Sequence, residues 1–134
     1  MGVAEAKPHV ARARRQLERV QDAAWDPPDA EQAVTWAFYA YENCIVALAE
    51  LHDRPWKKNH REKAELARRL HADGLVSRDV GDTLEELNRL RMDVAYDEPG
   101  PELRDTDLEA LAGDLEEFMD ESDDAIDAHA GRDD

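Results

Sequence analysis

Residues 28–51 read PDAEQAVTWAFYAYENCIVALAEL, and this stretch decides the fold. Val34, Tyr41, Ile45 and Leu48 fall on one helical stripe, while Trp36, Phe38, Ala40, Cys44, Val46, Ala47 and Leu51 occupy much of the remaining circumference. A helix apolar on most sides has to be buried on most sides, so the segment is either the centre of the fold or shared with a second subunit. Asp29 follows Pro27-Pro28 and makes a suitable N-cap, with Gln32 three residues on. Arg54-Pro55 closes the helix beyond about His52.

Working outward, each flank has helical period and clear punctuation. Val10, Ala13, Leu17, Val20 and Ala24 predict a helix from Pro8 to Ala24, broken by Trp25-Asp26-Pro27-Pro28. On the other side Asn59, with Glu62 behind it, caps a short third helix that ends at Asp73-Gly74. Ser77, or Asp79 with Asp82, opens a fourth whose apolar positions are Val80, Leu84, Leu87, Leu90 and Val94, ending before Glu98-Pro99-Gly100-Pro101. Thr106 with Glu109 has the form of a capping box for the last helix, where Leu108, Leu111, Leu115, Phe118 or Met119, Ser122 and Ile126 recur. No run alternates with period two. The expected fold is all-α, an up-and-down bundle of about five helices, four long and one short. It forms a single domain over residues 1–130, with 131–134 a frayed acidic tail.

With 134 residues the chain can bury roughly two thirds of its unfolded surface without a covalent staple. Its single cysteine, Cys44, excludes an intramolecular disulfide and a cysteine-based zinc knuckle. Charged residues make up 37% and mean hydropathy is −0.79, and no stretch reaches the apolar length of a membrane span, so no membrane partner is expected. Residues 1–10 carry no apolar run behind their basic residues, so no secretory signal is expected and the cytoplasm is the expected location.

The net charge of −16 argues against a nucleic-acid role until its distribution is considered. From Asp97 onward 16 acids face two arginines; residues 1–96 hold 17 acids against 15 lysines and arginines and are close to neutral. That first part contains basic runs, Arg12/Arg14/Arg15/Arg19 and Arg54/Lys57/Lys58/Arg61/Lys63/Arg68/Arg69. The acid is either a solvated face or a mask over a basic surface.

Few residues carry chemistry. There is no P-loop, Gly-rich dinucleotide loop, nucleophile elbow or His-Glu-x-x-His run. The acids of the last helix lack the ordered spacing of an EF-hand, and His52-Asp53 has no companions at ligand spacing. No metal and no cofactor are expected. Arg91 stands out, because it borders the apolar stripe of the fourth helix, where a guanidinium must pair with an acid such as Asp93 or Glu42, reach outward, or serve a site. Tyr96 follows about one and a half turns later. Among the five histidines, His60 within Lys57-Lys58-Asn59-His60-Arg61 is best placed to meet an anion, because it opens a helix among basic residues. Trp36, Phe38, Tyr39 and Tyr41 can stack on bases, although aromatics at helical spacing usually fill cores.

These residues resemble those of HEPN domains (higher eukaryotes and prokaryotes nucleotide-binding). The aromatic and Ala-rich stretch 28–51 is similar to their second helix, and Lys58-Asn59-His60-Arg61 to the polar segment opening the next. Leu87-Asn88-Arg89-Leu90-Arg91-Met92-Asp93-Val94-Ala95-Tyr96 is similar to their late motif of Arg, four to six residues, and His or Tyr. The resemblance implies a homodimer whose cleft binds RNA or nucleotide phosphate, and a setting as the toxin-like half of a module with a nucleotidyltransferase-type partner. In members that cleave RNA, it implies an Arg that holds the phosphate and a His that does acid–base chemistry on the ribose 2′-hydroxyl without a metal. This chain departs from that pattern: Tyr96 follows Arg91 after four intervening residues, and residues 92–102 contain no histidine. Tyrosine, titrating near 10, is a good hydrogen-bond donor and a poor base at neutral pH.

The expected phosphate site therefore comprises Arg91 and Tyr96, rimmed by His60, Arg61, Lys57 and Lys58, with Asn43 and Glu42 holding Arg91. Arg91, Tyr96 and His60 are the catalytic candidates if the cleft turns over. Three functions stay open: a phosphate-binding domain, a metal-independent ribonuclease, and an acidic helical adaptor with no nucleotide site.

Overall fold

A computed structural model describes residues 2–25, 27–95 and 101–132. Among them are six helices and no strand: α1 (Val3–Ala23), α2 (Ala30–Leu51), α3 (His60–Ala72), α4 (Gly81–Ala95), α5 (Pro101–Arg104) and α6 (Leu108–Arg132). No helix is long and apolar enough to cross a membrane among the described residues. The all-helical bundle follows the sequence expectation, with one more helix than anticipated.

α2 is the centre. Its residues from Ala33 to Leu51 are buried at most positions, and α1, α3, α4, α5 and α6 all touch it. Alanines explain how so many neighbours fit: Ala33, Ala37, Ala40, Ala47 and Ala49 are completely buried, and small side chains let helix axes approach closely. α1 packs along α2 through Ala6, Val10, Ala13, Leu17 and Val20. α6 lies against both, bringing Leu115, Phe118, Met119 and Ile126 into the core, with Phe118 stacked on Tyr41 at 5.6 Å between ring centroids. The apolar girth of α2 is thus satisfied within one chain, and it no longer calls for a second subunit.

The local signals account for most boundaries. Asp29 Oδ1 accepts from Gln32 N at 3.1 Å and Asn59 Oδ1 from Glu62 N at 3.1 Å, both as expected of N-caps. α3 ends in a Schellman motif: Leu75 N donates to Leu70 O and Gly74 N to His71 O, with Gly74 at φ 75°, which only glycine adopts without strain. Asp79 serves the start of α4 by accepting from Gly81 N.

Three expectations are corrected. α1 begins at Val3, not Pro8, because Ala6 is fully buried and Val3 packs on the core, which outweighs the hydrogen bond Pro8 cannot make. Gly2 continues that approach, since a Cβ there would overlap the Leu51 carbonyl oxygen. α6 is capped by Asp107, which accepts from Ala110 N at 3.0 Å; Thr106 instead donates its hydroxyl to Glu102 O and ties α5 to the turn. Residues 131 and 132 belong to α6 rather than to a frayed tail.

Candidate functional site

α1 has two flanks with opposite electrostatic fates. On the flank toward α6, Arg14 forms ion pairs with Asp120 and Asp123, and Gln21 donates to Glu116. On the other flank lie His9, Arg12, Gln16 and Arg19, spaced so that they share one side of the helix. Gln16 accepts from Asn43 of α2 at 2.8 Å, and the Arg19 guanidinium lies over the Trp36 ring at 4.5 Å. Two polar seams therefore run along α1, and only one is neutralised by the acidic C-terminal helix.

The second seam continues across α2 to the start of α3. Glu42 is buried at 4% exposure, an expensive place for a carboxyl group without partners. Its Oε2 is 2.7 Å from His60 Nδ1 and its Oε1 is 3.6 Å from Lys63 Nζ. His60 can reach Glu42 because Asn59 starts α3 there, making His60 the first helical residue and placing Lys63 three residues on, over the same face. The His60 ring also packs edge-on against Phe38 at 5.0 Å.

Around this pair opens a pocket of about 260 Å³ lined by His9, Arg12, Asn43, Val46, Trp56, Lys58, His60 and Lys63. Trp56 forms one wall, held by an Nε1 hydrogen bond to Glu50 at 2.7 Å, with His9 edge-on at 5.9 Å and Lys63 Nζ 5.7 Å from the ring centre. Burial lowers the pKa of His9 below its ordinary value, and the charges of Arg12 and Lys63 lower it further against the opposing pull of Glu50. His9 is accordingly an uncharged wall at neutral pH, and the positive potential comes from Arg12, Lys58 and Lys63.

Arg91 approaches the same Phe38 ring from α4. Its Cζ lies 5.0 Å from the Phe38 centroid and 5.7 Å from that of Tyr39, and its Nη2 donates to Asn88 Oδ1 at 2.8 Å. Its Nε is buried, and no described residue accepts from it. The guanidinium is thus flanked by two aromatic rings and, among the described residues, lies in no ion pair.

Several anticipated roles change. Glu42 and Asn43 do not hold Arg91: Glu42 serves His60 and Lys63, Asn43 serves Gln16, and Asn88, one turn away on α4, takes the positioning role. Asp93 is not its partner either. Arg61 turns outward beside Glu65 at 3.8 Å, and Lys57 lines a separate depression with Glu62, Leu66 and Arg69. Tyr96 lies outside the described residues. Phe38 and Tyr41 are core, whereas Trp36 and Tyr39 are half-buried at the surface of the seam. His9, Arg12, Arg19, Trp56 and Lys63 were not anticipated as parts of the site. The seven-residue spacing of Arg12 and Arg19, off the apolar stripe, was the available signal for two of them.

Arg54, Arg68, Arg78 and Arg89 are each paired with acids. A roomier depression of about 810 Å³ beside the α1–α2 turn is lined by Asp29, Glu31, Asp107 and Glu109 against Arg104. No group of three or more potential metal ligands occurs among the described residues. Comparison with known proteins finds no matching family model, no similar curated protein and no similar solved structure.

Proposed function

We propose that the seam formed by Arg12, Arg19, Lys58, Lys63 and Arg91 binds the phosphates of a single RNA strand, with bases stacking on Trp36, Tyr39 and Trp56. The observation that carries this reading is charge placement. In a chain of net charge −16, Arg12, Arg19, Lys58 and Arg91 have no acidic side chain within 4 Å among the described residues, and half-buried aromatics lie between them. Cations that track a backbone, interleaved with stacking surfaces, are what sequence-tolerant recognition of a single strand requires. The unspent Arg91 donors suit charge-assisted hydrogen bonds to phosphate oxygens.

The resemblance to HEPN domains supports the same ligand class. The homodimer and the nucleotidyltransferase-type partner rest on that resemblance alone, and the seam, built within one chain, requires neither. The adaptor reading called for Arg91 in an internal ion pair; its bond to neutral Asn88 favours ligand binding instead.

Fluorescence anisotropy with a labelled oligouridylate tests the proposal. Arg91→Ala should weaken binding about 10- to 100-fold, the worth of one or two charge-assisted hydrogen bonds. Equal affinity of wild type and Arg91→Ala, or no binding at low salt, would overturn it.

A further inference from the structure

The way α6 joins the bundle leaves an opening that the seam does not use. α6 packs mainly on α1 and α2, and α4 mainly on α2 and α3, so no direct α4–α6 seam closes the molecule. The connection between α3 and α4, residues 73–80, reaches α6 instead. It is tied there by Glu121, which accepts from Ser77 Oγ at 2.9 Å and pairs with the Arg78 guanidinium at 2.9 Å. Beside this strap lies a pocket of about 340 Å³ that shares no residue with the strand-binding seam. Leu48 and Phe118, both buried, form its floor, and Leu75, Val76 and Ala125 form its walls.

Two carboxylates stand at the mouth, and they differ. Glu121 is spent on Ser77 and Arg78, whereas exposed Asp124 has no hydrogen-bond donor and no cation within 4 Å among the described residues. An apolar floor under an unpaired carboxylate selects its occupant by charge. An anionic amphiphile meets Asp124 and Glu121 with like charge, and a neutral one leaves Asp124 unused. An ammonium group meets Asp124 at the mouth, where it stays in contact with water and avoids the cost of burying a charge. Its apolar body then displaces water from the leucine, valine and phenylalanine surface beneath. The volume lies at the low end of small-molecule sites, which suits a compact ligand and not a docked helix.

We infer that the pocket between the α3–α4 connection and α6 binds a small hydrophobic amine, its apolar body against Leu48, Val76 and Phe118 and its ammonium group on Asp124. This site stands independently of strand binding, since no side chain is common to the two. Ala125 sets how far the body can enter, because it is the smallest residue of the wall.

The test uses the full chain and three probes of one shape, 4-phenylbutylammonium, 4-phenylbutanol and 4-phenylbutyrate, titrated at pH 7 and followed by amide chemical shifts and calorimetry. Wild type should bind the ammonium about fivefold more tightly than the alcohol, the worth of one partly exposed ion pair, and the carboxylate most weakly. The shifted amides should include Ser77, Phe118 and Ala125. Asp124→Asn should weaken the ammonium about fivefold and leave the alcohol unchanged. Asp127→Asn, which removes an exposed acid of α6 outside the pocket, should change neither. Ala125→Phe fills the cavity and should abolish binding of all three; if that variant does not fold, Ser77→Trp at the exposed mouth serves the same purpose. Absence of ammonium binding at millimolar concentration, equal binding of the three probes, or shifts confined to other surfaces overturns the inference. So does an equal loss in Asp124→Asn and Asp127→Asn, which assigns the effect to overall charge.

Discussion

If the seam binds a strand as proposed, the salt dependence follows from which cations lack acidic neighbours. Arg12, Arg19, Lys58 and Arg91 are the cations of the seam with no acid within 4 Å among the described residues, whereas Lys63 is balanced by Glu42. Four neutralised phosphates on a single strand give a slope of log affinity against log salt of about −2.8, so raising salt from about 50 to 200 mM should weaken binding about 50-fold. Removing Arg19, which rests on Trp36 at the end of the seam away from the pocket, reduces the slope to about −2.1 and that loss to about 20-fold. Arg68→Ala should leave the slope unchanged, because Asp82 and Glu85 already neutralise Arg68 at 2.7 and 3.0 Å. Anisotropy titrations of the three proteins at four salt concentrations provide the comparison. If Arg68→Ala flattens the slope as much as Arg19→Ala does, binding follows overall charge and the seam has no special role.

Other consequences concern the body of the protein. Phe118→Ala, which empties a site 1% exposed and unstacks Tyr41, should cost about 3–5 kcal/mol in urea unfolding, provided the variant still folds. Asp107→Ala should cost about 1 kcal/mol by the same assay through loss of the α6 cap, and more than Thr106→Ala. Burial pushes the Cys44 thiol up to about 12, so at pH 8 it should resist a disulfide reagent in the native protein and react stoichiometrically once denatured. The His52 pKa is lowered by burial and then by His129, whose ring lies edge-on at 5.6 Å. Because the unfolded chain then binds more protons, this contribution is complete above about pH 6.5 and is lost as pH falls through the lowered value. His52→Asn should therefore reduce the drop in Tm between pH 7 and 5, measured calorimetrically.

The fold was legible wherever a short stretch of chain carries its own instructions. Asp29 and Asn59 cap as expected because an N-cap depends on residues three apart, and the girth of α2 predicts centrality because hydrophobicity is counted around a single helix. Thr106 and Asp107 defeated that reasoning, since either side chain can cap and the choice depends on how α5 turns into α6. Pro8 misled because a local penalty was outvoted by distant burial. The site was harder to read for the same reason. His60 and Arg91 were visible as basic residues at the edges of helices, but the partners of Glu42, Asn43 and Arg91 are settled by how α1, α3 and α4 meet α2. Trp56 and Lys63 gain their roles only when the loop before α3 folds over His9.

The unequal flanks of α1 give the molecule an electrical direction. One long side, where α6 lies, repels any polyelectrolyte of its own sign, and the opposite side attracts it. A strand drifting toward the protein would feel a torque on the whole particle before any contact forms, turning the productive side forward and discouraging a second strand from settling behind. For the proposed ligand, acidity that looks unsuited to it would then act as an orientation filter, effective in dilute buffer and fading as ions accumulate around both partners.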